Sequence, residues 1–350
     1  MLKARTLVFI LAASLLAGCS GGDDTPKPSP TSDSPTAVPA TATPATLDAA
    51  TILDRNKNSV VNIITSTPNG EGGGTGVVWE DATHILTAAH VVIGAGAIKV
   101  VDPNEGSRTF PAKVVGLSAC DDIAVLSVDR AQNLKPATIG DSETVKPGDH
   151  VVTLGFPATI SSGPNTPILS EGNVSRVHAS FGYSGQSDLI QHAIPTNPGN
   201  SGGPLFNNKG EVVAIHAYAA RNRQNENYAI AIDEAKTVAK AVAGGKNLDY
   251  IGISITPNDP DFADQNDLAY TDGLVITAID PGSAAAKAKP YPLEVGNLIF
   301  EVNSTPVETV GQFCDVLRSH TAGQTLQIRF GAYGQDGNPF NNFIRDLVIE

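Results

Sequence analysis

The sequence is poor in charge, in basic residues and in cysteine. Charged residues make up 17 % of the 350, below the roughly 25 % of an ordinary globular chain. The 23 Lys and Arg are outnumbered by 36 Asp and Glu, and the formal net charge is −13. Such a balance argues against a sequence-independent grip on nucleic acid, which neutralises phosphates with basic side chains. Three cysteines are too few for a disulfide scaffold. No apolar run approaches the ~20 residues of a membrane-spanning helix. The length does allow two domains, each with its own core.

The charge is unevenly spread. Residues 1–50 hold 3 basic and 4 acidic side chains, residues 51–246 hold 15 and 18, and residues 247–350 hold 5 and 14. The last third therefore carries −9 of the −13. At the other end, Lys3 and Arg5 precede the apolar stretch Leu7–Leu16, and Leu16-Ala17-Gly18-Cys19 puts small residues before a cysteine. This order is the secretory signal pattern. The LAGC ending resembles the lipobox of bacterial lipoproteins, which implies cleavage before Cys19 and a lipid on its thiol. Residues 20–50 are dominated by Pro, Thr, Ser and Ala. They cannot bury enough apolar area to offset their ordering entropy and read as a disordered tether.

From residue 51 the pattern changes to short apolar runs separated by Gly, Pro, Asn and Asp. Val60–Ile64, Gly76–Trp79, Lys99–Val101, Ile123–Val128, His150–Leu154 and Val212–His216 read as strands of an all-β domain ending near residue 246. One helix is expected over Asp233–Ala243, stopped by Gly244-Gly245. Residues 247–350 read as an α+β module, with strands at Leu274–Ile279, Asn297–Val302 and Thr325–Phe330 and helices at Ala284–Lys289 and Val310–Ser319.

Gly199-Asn200-Ser201-Gly202-Gly203-Pro204 is the strongest motif. A serine hydroxyl becomes a good nucleophile only when a neighbouring base takes its proton. Backbone N–H groups must then meet the developing oxyanion, and glycines beside the serine allow that turn. His90 is the candidate base, and Asp121 or Asp122 the candidate acid that orients it. The order His, Asp, Ser is one of the known chain orders of the serine-protease triad.

Thr87-Ala88-Ala89-His90-Val91-Val92, Asp122-Ile123-Ala124-Val125-Leu126 and Asn197–Leu205 (NPGNSGGPL) occur in that order on an all-β chain followed by an α+β module. Over residues 52–350 the chain resembles the HtrA/Deg-type serine proteases. The resemblance implies a mainly β fold, a chymotrypsin-like double β-barrel followed by a PDZ domain. It implies a serine endopeptidase with the triad His90, Asp122 and Ser201 and an oxyanion hole at Gly199, Asn200 and Ser201. It selects Asp122 because the family's acid immediately precedes the Ile-Ala-Val-Leu strand, and leaves Asp121 as a loop residue, exposed or pairing locally. Neutral Asn200 cannot pair with a newly cut N-terminus, so cleavage beside the barrel is not expected to be needed for catalysis.

The chain departs from the family around the pocket. Ala193 and Thr196 replace the family's usual Asp and Ile, and His216 stands in the strand where the family has Asn. Bacterial glutamyl endopeptidases, which share this barrel, carry Thr five residues before the nucleophile and a Gly-Ile-His strand. By that likeness Pro195, Thr196 and His216 line a pocket for Glu before the cut, because a hydroxyl and an imidazole can both donate to one carboxylate. The other reading is a structural histidine beside a small apolar pocket. His192 is read as a surface loop residue, the alternative being an accessory polar group of the pocket.

In the C-terminal module, Tyr250-Ile251-Gly252-Ile253 resembles the carboxylate-binding loop and first strand of the family's PDZ domains. A peptide C-terminus would add there as a strand. An insertion over Asn258–Asp272 carries five aspartates and reads as a solvated acidic loop, since its spacing fits a calcium loop poorly. Cys120 and Cys314 lie in different domains and are expected to be separate thiols, with a disulfide between them as the alternative. The resemblance implies no cofactor and no metal, and unfolded or damaged envelope proteins as substrates. It also implies lipid anchoring on the extracytoplasmic face and a homotrimer built through the N-terminal part of the protease. A non-catalytic peptide-binding or chaperone lipoprotein is the competing reading.

Overall fold

The computed structural model describes residues 46–349 except 69, 103–107, 130–132, 158–165, 182–183, 187, 220–224, 267, 269–270, 289–291 and 334–338. The signal segment, Cys19 and the tether up to residue 45 lie outside the described residues. The first described element was not expected. Helix α1 (Ala49–Asn56) straddles the assigned end of the tether, because the Asp48 carboxylate accepts the Thr51 N–H (2.7 Å) and caps it. Its Ile52 is fully buried, and Asn56 donates to the Gly210 carbonyl.

Two closed barrels follow. The first comprises β1 (Val60–Thr67), β2 (Gly70–Trp79), β3 (His84–Thr87), β4 (Ala97–Val101), β5 (Thr109–Ser118) and β6 (Ile123–Val128) in the order β1-β2-β3-β6-β5-β4. The short helix α2 (Ala89–Val92) leaves it directly after β3. The second comprises β7 (His150–Gly155), β8 (Ile168–Ala179), β9 (Leu189–His192), β10 (Pro204–Phe206), β11 (Val212–Ala219) and β12 (Asn227–Ala231) in the order β10-β11-β12-β9-β8-β7. Each barrel has its own interior, around Ile63, Ile85 and Leu126 in the first and Val151, Ile190 and Leu205 in the second. A third cluster joins Val60, Leu86, Leu154 and Ile215 from both barrels with Ile52 of α1.

Helix α3 (Ile232–Val242) covers that shared cluster, one residue off its expected bounds. Ile232, Ala235, Val238, Ala239 and Val242 are buried at the spacing of one helical face. Asp233 and Glu234 in the first turn and Lys240 in the last oppose the helix dipole.

The last hundred or so residues form a third, six-stranded sheet. It contains β13 (Ile253–Pro257), β14 (Leu274–Ile279), β15 (Leu298–Val302), β16 (Thr305–Pro306), β17 (Thr325–Tyr333) and β18 (Pro339–Val348), ordered β13-β14-β15-β17-β18 with β16 beside β15. Helices α4 (Pro260–Gln265), α5 (Ala284–Lys287) and α6 (Val310–Arg318) complete it. The insertion expected as a solvated loop instead holds α4, because the Asp259 carboxylate accepts the Phe262 N–H (2.8 Å) at its start. Helix α6 begins with a capping box in which Thr309 and Gln312 exchange hydrogen bonds.

Cys120 and Cys314, expected as separate thiols, form a disulfide. The bridge joins the turn before β6 to α6, and Arg318 at the end of α6 reaches Asp121 (2.5 Å) and Asp249 (3.0 Å). Asp121 therefore pairs across 197 residues as well as locally with the Ser118 hydroxyl. Sequence spacing alone could not reveal a contact made by folding two distant segments together.

Candidate active site

Asp122 lies between the Cys120 turn and β6 in left-handed backbone, at φ 54°. Such backbone is unusual for a residue with a side chain, and Asp is among the few that tolerate it. The carboxylate is 4 % exposed and faces α2. It accepts the His90 backbone N–H (2.9 Å) and the His90 Nδ1–H (2.8 Å to Oδ2), while the Asp122 carbonyl accepts the Ala89 N–H (3.1 Å). The imidazole is thereby held as the tautomer with its proton on Nδ1, leaving Nε2 as the acceptor. Loss of solvent disfavours a charged His90, but the Asp122 charge and hydrogen bond outweigh it and raise the pKa above its ordinary 6.5.

Ser201 stands in the connection between β9 and β10. The Asn200 N–H closes a turn on the Asn197 carbonyl (3.0 Å), with Gly199 at φ 102°. Strand β2 of the other barrel clamps this turn: Thr75 N–H donates to the Ser201 carbonyl (2.9 Å) and Thr75 Oγ1 to the Gly199 carbonyl (2.7 Å). Thr75 Oγ1 also accepts the Phe156 N–H (3.0 Å). A Cβ on Gly74 would lie 2.8 Å from both the Ser201 carbonyl and a Val91 methyl, so the serine and the turn bearing His90 converge on that glycine. Gly202 must also lack a side chain. Its φ is +80°, and a Cβ would come within 2.1 Å of Thr87 Oγ1. Among the described residues, no hydrogen bond engages the N–H groups of Gly199 or Ser201. Asn200 is buried, its amide packed over Gly155.

The expected pocket residues lie on two segments that meet. Gly202 N–H donates to the His216 carbonyl (2.8 Å), and His216 N–H to the Gly203 carbonyl (2.8 Å), which seats β11 beside the nucleophile. The His216 ring is 1 % exposed, and among the described residues neither of its nitrogens has a hydrogen-bond partner. Burial pushes its pKa down to about 4. Thr196 is half-buried and donates to the Ile194 carbonyl (3.3 Å), while Pro195 is exposed. His192 is not on the surface as expected. It is fully buried, because β9 turns it inward, and its ring meets the His216 ring at 4.7 Å.

Tyr218, beside the Asp122 carboxylate, was not singled out in the sequence. A bulge in β11 leaves Ala217 without a partner on β12 and re-aims the next side chain. The Tyr218 hydroxyl turns to the Asp122 carboxylate, and burial, with the Asp122 and Asp121 charges, pushes its phenol pKa well up. No sequence pattern signals that bulge.

In the C-terminal module, Tyr250 and Ile251 are buried, Tyr250 in the first barrel's cluster and Ile251 in the module's own. The Gly252 carbonyl accepts the Asp280 N–H (2.9 Å). Among the described residues strand β13 pairs only with β14, and its other edge faces α6. That edge lines a groove of about 1020 Å³ that runs from Ile253, Phe313 and Leu317 to Tyr218, Asp122 and His90.

Residues 74–215 match the family model of the trypsin-like peptidase domain. Over 270 residues the chain is 31 % identical to a protein of Halomonas elongata named "Probable periplasmic serine endoprotease DegP-like", covering 76 % of this chain and 55 % of that protein. The chain thus spans about half the length of that curated relative. The solved structure "HtrA-type protease AlgW with tripeptide" has the same fold, with a TM-score of 0.53, 23 % identity, and 86 % of this chain and 96 % of that one covered. The "serine endoprotease from Yersinia pestis" gives a TM-score of 0.51 at 23 % identity, covering 87 % of this chain and 98 % of that one. Residues 74–215 thus form a trypsin-like peptidase domain, and by sequence and fold together the chain resembles the HtrA/DegP-type serine proteases.

Proposed function

We propose that this protein is a serine endopeptidase. Ser201 Oγ attacks the carbonyl carbon of the scissile peptide while His90 Nε2 takes its proton. The resulting oxyanion is received by the N–H groups of Gly199 and Ser201 in the turn of Gly199, Asn200 and Ser201. The protonated His90 then gives its proton to the leaving amine, and water repeats the sequence on the acyl-enzyme. The observation that carries this reading is the His90–Asp122 pair, held by three hydrogen bonds opposite a nucleophile turn clamped by Thr75. A fluorophosphonate probe reacts only with an activated serine. Labelling of the wild type that disappears in Ser201→Ala is expected. A folded wild type that takes no label would favour the non-catalytic peptide-binding lipoprotein instead.

The remaining assignments follow the resemblance. Residues 1–19 are the signal segment, 20–50 the tether, 51–246 the protease and 247–350 a PDZ domain. The protein acts outside the cytoplasm, tethered through lipid on Cys19, on unfolded or damaged envelope proteins. The edge of β13 beside α6 supports capture of peptide C-termini near Tyr250, Ile251, Gly252 and Ile253. The family's homotrimer is carried over with them.

A second reading concerns the pocket. A buried imidazole without partners is costly unless a ligand supplies one. We infer that His216, with Thr196 and Pro195, receives a Glu side chain before the cut. Peptides differing only at that residue test this. Glu is expected to exceed Gln, Val and Ala in kcat/KM, and turnover of Val or Ala equal to Glu would point to a small apolar pocket.

A further inference from the structure

Below the pocket lies a buried histidine that the catalytic steps leave unused. His192 ends β9, while His216 stands on β11, with β12 between them. On β12, Ala229 is paired with His216 on one side and Ile190 on the other, and Asn227 with His192. The single methyl of Ala229 leaves the space above β12 in which the two rings meet. They meet edge to face, with centroids 4.7 Å apart and planes at 88°.

The two rings are held differently. Among the described residues neither nitrogen of His216 has a hydrogen-bond partner, so packing sets the direction of that ring. His192 is anchored at one nitrogen: its Nδ1 accepts the Ile194 N–H (3.3 Å), which leaves its proton on Nε2, and that nitrogen has no partner among the described residues. The Ile194 carbonyl in turn accepts Thr196 Oγ1–H (3.3 Å) and Asn227 Nδ2–H (2.9 Å). One side chain thus touches the His216 ring directly and Thr196 through Ile194. His216 and Thr196 are the two donors assigned to the substrate carboxylate; the single Thr196 hydroxyl proton, given to the Ile194 carbonyl in the free protein, turns to the carboxylate when it binds.

We propose that His192 is a positioning residue that sets His216 and Thr196 relative to one another, and through them the selectivity for an acidic side chain. The proposal rests on the acid-accepting reading of the pocket. Its chemistry needs a fixed pair of donors, because a carboxylate hydrogen bond weakens steeply once the donor is misdirected.

The test compares otherwise identical peptides with Glu or Gln before the cut on wild type, His192→Ala, His192→Phe and His216→Phe. His192→Ala removes both the ring contact and the acceptor for Ile194. It is expected to lower the Glu:Gln ratio of kcat/KM about tenfold or more, chiefly through KM for the Glu peptide. His192→Phe keeps a ring against His216 and is expected to recover part of that ratio, and it serves in place of His192→Ala if the latter does not fold. A merely structural role would lower both peptides alike and leave the ratio unchanged. If the wild type prefers Glu and His216→Phe abolishes the preference, but both His192 variants retain it, the positioning role is overturned alone. If the wild type does not distinguish Glu from Gln, the pocket reading fails and this proposal with it.

Discussion

Asp122 does three things with one carboxylate. It fixes the His90 tautomer, raises the basicity of the ring, and ties the start of α2 to the turn before β6. The raised pKa has a definite kinetic consequence. Only neutral His90 can take the Ser201 proton, so kcat/KM for a peptide with a neutral side chain before the cut should rise with pH. The midpoint of that limb should lie above 6.5. Asp122→Asn tolerates the same left-handed backbone but removes the charge. It should lower kcat by roughly 10³–10⁴, by analogy with triad aspartates in general, and move the limb to lower pH. A pH–rate profile of both proteins checks this. A wild-type midpoint below 6.5, or an unshifted limb in Asp122→Asn, would contradict the assigned role.

At the scale of elements, the second barrel buries two imidazoles beside an apolar cluster, with Asn227 and Thr153 among the other buried polar residues of its strands. Burial holds His216 down to about 4, and burial together with the nearby His216 lowers His192 well below its ordinary value. In the unfolded chain both titrate near 6.5. As pH falls below that value the unfolded state binds protons that the folded barrel refuses, so stability declines toward pH 4. The slope is up to ~1.4 kcal/mol per pH unit for each histidine. His90 acts in the opposite sense: its stabilisation is present at low pH and lost as pH rises through its raised value. Chemical denaturation of His216→Phe between pH 4 and 7 should give a flatter curve than the wild type, and parallel curves would exclude the effect. Much of this architecture is legible in the sequence. Val60–Ile64, Ile123–Val128 and Leu274–Ile279 carry the apolar runs that became strands, and Gly199–Pro204 carries the constraints of a tight turn. His192 was not legible, because a polar residue near a loop signals exposure until the barrel closes around it. Helix α1 was hidden in Pro- and Thr-rich surroundings, where a single cap at Asp48 decides its start.

In the whole molecule, the third sheet is tied to the catalytic barrels at the acid's own turn. Cys120 stands two residues before Asp122, and its partner Cys314 lies on α6, beside the groove. Arg318 joins Asp121 and Asp249, and the Asp280 carboxylate accepts the Gly94 N–H just beyond α2. The ion pairs are partly exposed, with Arg318 42 % open to solvent, and contribute little alone. The disulfide joins residues 194 apart in the chain and is the covalent link. Replacing both cysteines by serine should cost about 2–4 kcal/mol. It should also change the form of unfolding. Joined through the bridge, the barrels and the third sheet should melt as one cooperative transition. Freed, the module of roughly a hundred residues has the smaller core and should melt first. Calorimetry of the wild type with and without a dithiol reductant, beside the double serine variant, separates these outcomes. One transition at an unchanged midpoint in all three would mean that the noncovalent contacts suffice. Two transitions in the variant and the reduced protein, against one in the oxidised protein, would mean that the covalent tie keeps the groove of α6 registered on the turn that carries Asp122.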